Sequence, residues 1–294
     1  MEQMPYYLPP EEGWKKHFEG LIPILILVLI GIVLIGKTTN LFCTLPLMSD
    51  IFCARGDVTV GLLGDFSQTA ETQIKADIFK SVLDAEGAKF KIYSTIVPLS
   101  VLEFAQADPL RGIDILAVAG FQNLSYSARV ALGKYIADGG KVIWIGDAGV
   151  FSESDPLVVG WSAAEYGDYT PVRLASRGAP GDLPRELLDS PQLNYFNKDH
   201  PIIKNYADTY RLDFNRINNN PSCQQINALK VNSREGATIV AVLSSGDEKK
   251  TVLAIVEKQA GSLGNGGDVV YFNYDPGCTN FATIATLRYL GGKY

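Results

Sequence analysis

The chain has 294 residues, enough for one large domain or two small ones, and its 47% hydrophobic and 20% charged content is ordinary for a globular fold. A net charge of −6 with no basic tract excludes a nucleic-acid binder held by phosphate contacts. Two histidines and four cysteines without a C-x-x-C spacing exclude a zinc centre of Cys and His, and no cofactor is expected.

Residues 1–20 are a short Pro-containing tail, too small to fold alone. Leu21 to Gly36, LIPILILVLIGIVLIG, carries no charge. As a helix it would be roughly 24 Å long, somewhat short of the ~30 Å hydrocarbon core. Lys37 can snorkel at one end and Phe18 can extend the other, with Trp14 at the interface. The run therefore predicts a single-pass transmembrane helix over 21–37, and with it a cell-membrane protein. A cleaved signal peptide is disfavoured, because KTTNLFCTLPLMSD lacks a small-x-small site. A lipoprotein signal is disfavoured by the bulky Leu41-Phe42 before Cys43. Lys15 and Lys16 precede the run and only Lys37 follows it directly. That bias predicts a cytoplasmic N-terminus and an external main domain. Residues 38–56 read as a juxtamembrane stem.

Residues 57–294 read as one α/β domain. DVTVGLLGD (57–65) is an apolar strand, TAETQIKADIFKSVLDAEG (69–87) an amphipathic helix, and KFKIYST (89–95) a second strand. A short helix over 99–107 and a buried strand over 112–120 follow, then a helix over 125–140 and the strand 141–146. This alternation predicts a flavodoxin-like, doubly wound, mostly parallel sheet with helices on both faces. Residues 150–222 lose the periodicity and read as a loop-rich insertion. Strands return over 238–245, 250–259 and 267–275, the last two joined by the hairpin loop AGSLGNGG, and a final helix spans about 279–290. Trp144 lies mid-strand and is expected in the core.

The order of these pieces carries a resemblance. GIDILAVAGFQNLSYSARVALGKYIADGGKVIWIGDAG resembles the central part of class I glutamine amidotransferase-like domains. KDHPIIKNY (198–206) and GGDVVYFNYDPG (266–277) are similar to segments of its trehalose-utilisation, or ThuA-like, branch. The likeness covers roughly residues 57 to 290. It implies an elbow after the strand 141–146, where active members carry a nucleophilic cysteine assisted by a His-x-Glu pair. Here Asp147 stands at the nucleophile position, the first glycine is displaced, and no His-x-Glu exists: His200 is followed by Pro201. A thiolate nucleophile needs a base and a lowered pKa, and this chain offers neither. Glutamine hydrolysis is not expected.

In an open α/β sheet ligands bind beyond the carboxyl ends of the strands. That places Asp65, Phe66, Ser67 and Gln68, then Phe121, Gln122 and Asn123, then Asp147 and Ser152, around one crevice, with Tyr274 and Asp275 joining from the C-terminal strand. Asp65 and Asp147 could pair for acid/base work or for a divalent cation, or each could cap a turn. His200 could be a base or a structural turn residue. Asn123-Leu124-Ser125 is a glycosylation sequon, meaningful only outside the cytoplasm. Cys43 with Cys53, and Cys223 with Cys278, could form disulfides or stay free. The expected function is a membrane-anchored, non-catalytic amidotransferase-like domain that binds a ligand or protein partner in a surface or transport assembly. The alternatives are an enzyme on a sugar or glycan-like substrate using Asp65, Asp147 and His200, and a purely structural subunit.

Overall fold

The computed structural model describes residues 22–23, 25–28, 30–31, 57–70, 72–104, 110–153, 159–161, 164, 166–176, 182–204, 217–246, 250–259 and 267–292. The chain divides into residues 1–55 (with Tyr294) and residues 56–293. Of the expected membrane helix only scattered positions between 22 and 31 are described, all helical, and the stem with Cys43 and Cys53 lies outside the described residues. Among the described residues no helix is long and apolar enough to cross a membrane.

The second unit is built on one eight-stranded sheet. Its parallel part comprises β1 (Val58–Gly64), β2 (Ile92–Val97), β3 (Ile115–Ala119) and β5 (Lys141–Ile145), with β14 (Asp268–Phe272) from near the C-terminus. They lie in the order β2-β1-β3-β5-β14, the flavodoxin-like arrangement. Antiparallel β13 (Thr251–Gln259), β12 (Thr238–Ser244) and β9 (Gln192–Tyr195) extend the sheet beyond β14. Every residue of β3 is buried, as expected of a strand covered on both faces. The steps β1 to β2 and β2 to β3 run in opposite directions across the sheet. Right-handed crossovers therefore put α1 (Asp77–Glu86) on one face, and α2 (Leu99–Phe104) with α3 (Tyr126–Ala137) on the other. The contacts agree: α2 packs on α3, and α1 packs on the C-terminal helix α5 (Asn280–Leu290).

Two expectations are corrected. The first helix begins at Asp77, not at residue 69. Residues 69–70 and 72–76 are not helical: Ser67 Oγ accepts from the Thr69 N–H at 3.2 Å, and Thr72 donates to the Ile74 carbonyl at 3.0 Å. The second strand begins at Ile92, because Gly87–Phe90 close a 3-10 turn and Lys91 takes a left-handed conformation (φ 56°) before the chain can extend.

The insertion holds more than loops. β4 (Asn123–Leu124) and β6 (Phe151–Ser152) form a short parallel pair beside the elbow; β7 (Val172–Leu174) pairs with β11 (Val231–Ser233), and β8 (Arg185–Asp189) pairs with β10 (Gln225–Leu229), both antiparallel. The single helical turn α4 (Pro221–Gln224) precedes β10. The fully buried Asn273 holds β10 to the sheet: its Oδ1 accepts from the Leu229 N–H, and its Nδ2 donates to the carbonyls of Leu229 and Leu253.

Candidate functional site

The elbow after β5 is a tightly fastened turn. Gly146 (φ 61°) and Gly149 (φ 63°) take left-handed conformations that favour glycine. A Cβ at Gly146 would lie 2.6 Å from Ile74, and one at Gly149 would lie 2.7 Å from Leu124, so both positions are also closed by packing. Three buried aromatic donors hold the carbonyls between them. Trp144 and Trp161 both donate indole N–H to the Ala148 carbonyl, at 2.7 and 2.8 Å, and Tyr166 donates its hydroxyl to the Gly149 carbonyl at 2.7 Å. Trp144 is thus core, as expected, and also a clasp on the turn.

Asp147, at the tip, has no solvent exposure. Its Oδ2 accepts from Arg185 Nη2 at 2.6 Å and from Gln122 Nε2 at 2.5 Å, while Oδ1 has no hydrogen-bond partner. Arg185 opens β8, so the insertion delivers a guanidinium onto the elbow, and its Nη1 also donates to the Asn227 carbonyl on β10. The Tyr271 hydroxyl is driven well above its ordinary range, by burial first and then by the charge of Asp147. A carboxylate placed so is an acceptor for Arg185 and Gln122, with no face presented to a substrate.

The other expected site residues sit as follows. Asp65 accepts from the Ser67 N–H at 2.8 Å, an Asx turn that shapes the end of β1. Phe66 is buried with its ring 6.2 Å from that of Phe79, whereas Ser67 and Gln68 are exposed. Phe121 is half-buried against the core beside Gln122. Ser152 is buried, Asn123 is exposed, and Ser125 caps α3 by accepting from the Ala128 N–H. Tyr274 is buried, shares a hydrogen bond of 2.7 Å with the Thr279 hydroxyl, and is pushed up by burial. Cys223 and Cys278 are joined in a disulfide.

Asp275 reaches across to α1. Its carboxylate accepts from the N–H groups of Ile78 (3.0 Å), Phe79 (2.9 Å) and Gly277 (2.8 Å). It thereby caps α1 from 196 residues away, where the helix's own Ala76 has no side chain to do so. Burial raises this carboxyl from 3.8 to about 7, against the pull of those N–H groups. A folded-state pKa above the unfolded one means the native state holds the extra proton between about pH 4 and pH 7. The group's contribution to stability is therefore full below pH 4 and falls as pH rises through that window. Urea midpoints of the wild-type chain are expected to decline from pH 5 to pH 8. Asp275→Asn should flatten the decline by on the order of 2 kcal/mol, since one pKa unit is worth about 1.4 kcal/mol and the side chain is partly in water. An unchanged slope would remove Asp275 as its source.

His200 lies elsewhere. Its Nε2 meets Glu257 Oε2 at 2.6 Å, both side chains buried, and its ring sits edge-on to Tyr289 at 5.8 Å. Glu257 pairs with Val270, one residue before the level at which Tyr271 faces Trp144, and Gln259 pairs with Asp268 at the start of β14. The elbow lies beyond the other end of the parallel strands. The structure therefore brings Gln122 and Asp147 together, sets Phe66 and Asp275 against the first turn of α1, and puts His200 toward the opposite end of the sheet. Sequence reasoning missed Arg185, Glu257 and Asn273. Each meets its partner through long-range pairing, and no local spacing marks it.

Compared with protein-family models and with curated protein sequences, the chain matches none. Solved structures give likenesses at low identity. The β-galactosidase of Rahnella sp. R3 is similar at a TM-score of 0.50 and 12% identity, over 83% of this chain and 33% of that one. A ThuA-like protein of Bacteroides uniformis ATCC 8492 gives a TM-score of 0.43 at 11% identity, over 81% and 92% of the two chains. The glutaminase domain of Trypanosoma brucei CTPS gives 0.42 at 15% identity, over 80% and 94%. The chain spans about a third of the length of the β-galactosidase it resembles. At 12% identity the likeness to the β-galactosidase speaks for the fold alone, the α/β domain on a mostly parallel sheet described above.

Proposed function

We propose that the chain is a membrane-anchored, non-catalytic domain of the class I glutamine amidotransferase-like fold, in its ThuA-like branch. It is held outside the cytoplasmic membrane and binds a protein partner or ligand there, as part of a surface or transport assembly. One observation carries the non-catalytic reading: Asp147, at the nucleophile position, is wholly buried and bound to Arg185 and Gln122. Two features support the placement. Leu21 to Gly36 is an uncharged apolar run with Lys15 and Lys16 before it. The Cys223–Cys278 disulfide fits an oxidising compartment. The enzyme alternative draws less support, because the cavity beside His200 is lined by neither Asp65 nor Asp147.

The test is made on the full chain in its native membrane. Protease added to intact cells is expected to digest residues 57–294, and protection of that region would reverse the orientation. Crosslinking before solubilisation is expected to trap the chain with a partner, and recovery of the chain alone would count against a role in an assembly. Purified protein is expected to hydrolyse neither glutamine nor aryl glycosides. Turnover that Asp147→Asn abolishes would overturn the non-catalytic reading.

A further inference from the structure

The sheet ends at β2, and nothing among the described residues pairs with the outer side of that strand. Tyr93, Ser94, Thr95 and Ile96 are all exposed, Tyr93 by 48% and Ile96 by 70%. Sheet edges are commonly blunted by a lysine, a proline or a bulge within the strand. Ile92–Val97 has none of these: it carries no charge, and its register with β1 runs unbroken.

The ladder fixes which backbone groups the edge offers. The Val58 N–H donates to the Lys91 carbonyl at 2.9 Å, and Val58 is the partner of Ile92. In a parallel ladder that pattern turns residues 93, 95 and 97 toward β1, and turns the N–H and C=O of Ile92, Ser94 and Ile96 outward. The Ile92 carbonyl is covered by Gly87, where a Cβ would lie 2.6 Å from it. At the other end Pro98 has no N–H to offer. The usable edge therefore runs from Ser94 to Ile96 and is centred on Thr95.

That window is complementary to itself. A two-fold axis through Thr95 pairs two copies antiparallel, with Ser94 of each opposite Ile96 of the other, and each such pair exchanges both its hydrogen bonds. Thr95 then faces Thr95, and Tyr93 faces Val97, both favourable cross-strand pairs. The charges agree with this occupant. Between residues 80 and 97, Lys80, Lys89 and Lys91 against Asp84 and Glu86 leave a balance of +1, in a chain whose net charge is −6. Two acidic copies can thus approach here without strong repulsion. The same register brings Lys91 level with Leu99 of the second copy, in the helix that carries Glu103, and no lysine level with a lysine.

We propose that the open edge of β2 is a self-association surface, on which a second copy of this chain docks antiparallel about Thr95 and continues the sheet. A contact of one short strand is small, so the dimer is reversible. The surface is separate from the elbow and does not rest on the function proposed above.

Sedimentation equilibrium of the full chain in detergent is expected to show a concentration-dependent monomer–dimer equilibrium. Ile96→Lys, at an exposed position that leaves the core untouched, should weaken the dimer at least about tenfold, because the new charge is desolvated on pairing. Asp147→Asn should leave it unchanged. The register is read by oxidative crosslinking in a background with Cys43→Ser and Cys53→Ser. Thr95→Cys sets the two thiols directly opposite each other, within disulfide reach, and is expected to crosslink. Ser94→Cys sets them diagonally apart and should crosslink far more slowly. A chain that stays monomeric at every concentration, or a dimer indifferent to Ile96→Lys, overturns the proposal. Equal crosslinking through residues 94 and 95 overturns the register and, with it, the pairing about Thr95.

Discussion

Arg185→Met is expected to lower the unfolding free energy by about 3–5 kcal/mol, because it strands the Asp147 carboxylate in a site with no exposure. For a domain of this size that is a fall in Tm of roughly 10 °C. The loss has a particular source. Gln122 still donates to Oδ2, but Oδ1 already lacks a partner, so removal of the guanidinium leaves a nearly bare buried charge. Neutralising that charge should recover much of the loss. The double variant Arg185→Met with Asp147→Asn is expected to be more stable than Arg185→Met alone, and Asp147→Asn by itself should cost less than Arg185→Met. The wild-type midpoint should also respond weakly to salt, since a buried pair is screened far less than a surface one. A double variant no better than Arg185→Met would mean that Arg185 acts through packing and its bond to the Asn227 carbonyl, not through Asp147.

The same ion pair marks where reading the sequence stops. The parallel core was legible because its strands are buried on both faces and so appear as unbroken apolar runs, as in Ile115–Ala119. The elbow was legible from Gly146 and Gly149, whose left-handed backbone leaves a glycine signature. What occupies the elbow was not. Arg185 comes from a short strand, Arg185–Asp189, of which only Leu188 is buried, so no alternation announced a strand. The start of α1 was hidden for a related reason. TAETQIKA reads as helix, but the cap that sets the first turn is Asp275, supplied from the far end of the chain. Glu257 lies in a strand whose neighbours are mostly buried and apolar, and nothing near it predicts His200 as a partner.

Replacing Cys223 and Cys278 together by serine is expected to cost about 2–4 kcal/mol, read as a lower urea midpoint against the oxidised wild type. The bridge closes 55 residues of chain, and loop-closure entropy alone places its effect near about 4 kcal/mol. Its position adds to the expectation. Cys223 sits in the single turn that leads into β10, and Cys278 in the 3-10 turn Pro276–Thr279, which follows Asp275 directly. The Asn218 side chain donates to the Gly277 carbonyl at 2.7 Å, and its backbone N–H to the Cys278 carbonyl at 2.9 Å, so the bridge locks a junction that is already hydrogen-bonded. Loosening it frees the end of the insertion and the segment that caps α1 at once. The two sulfurs are almost wholly buried, so reductant should act on the wild type only as the domain opens. Reductant combined with urea is expected to bring the wild-type midpoint down to that of the double serine variant, and to leave the variant unmoved. A wild-type midpoint indifferent to reductant would mean that the bridge adds nothing to stability beyond the packing around it. The domain would then fold equally well in a reducing compartment, and the strongest structural support for an external location would be lost.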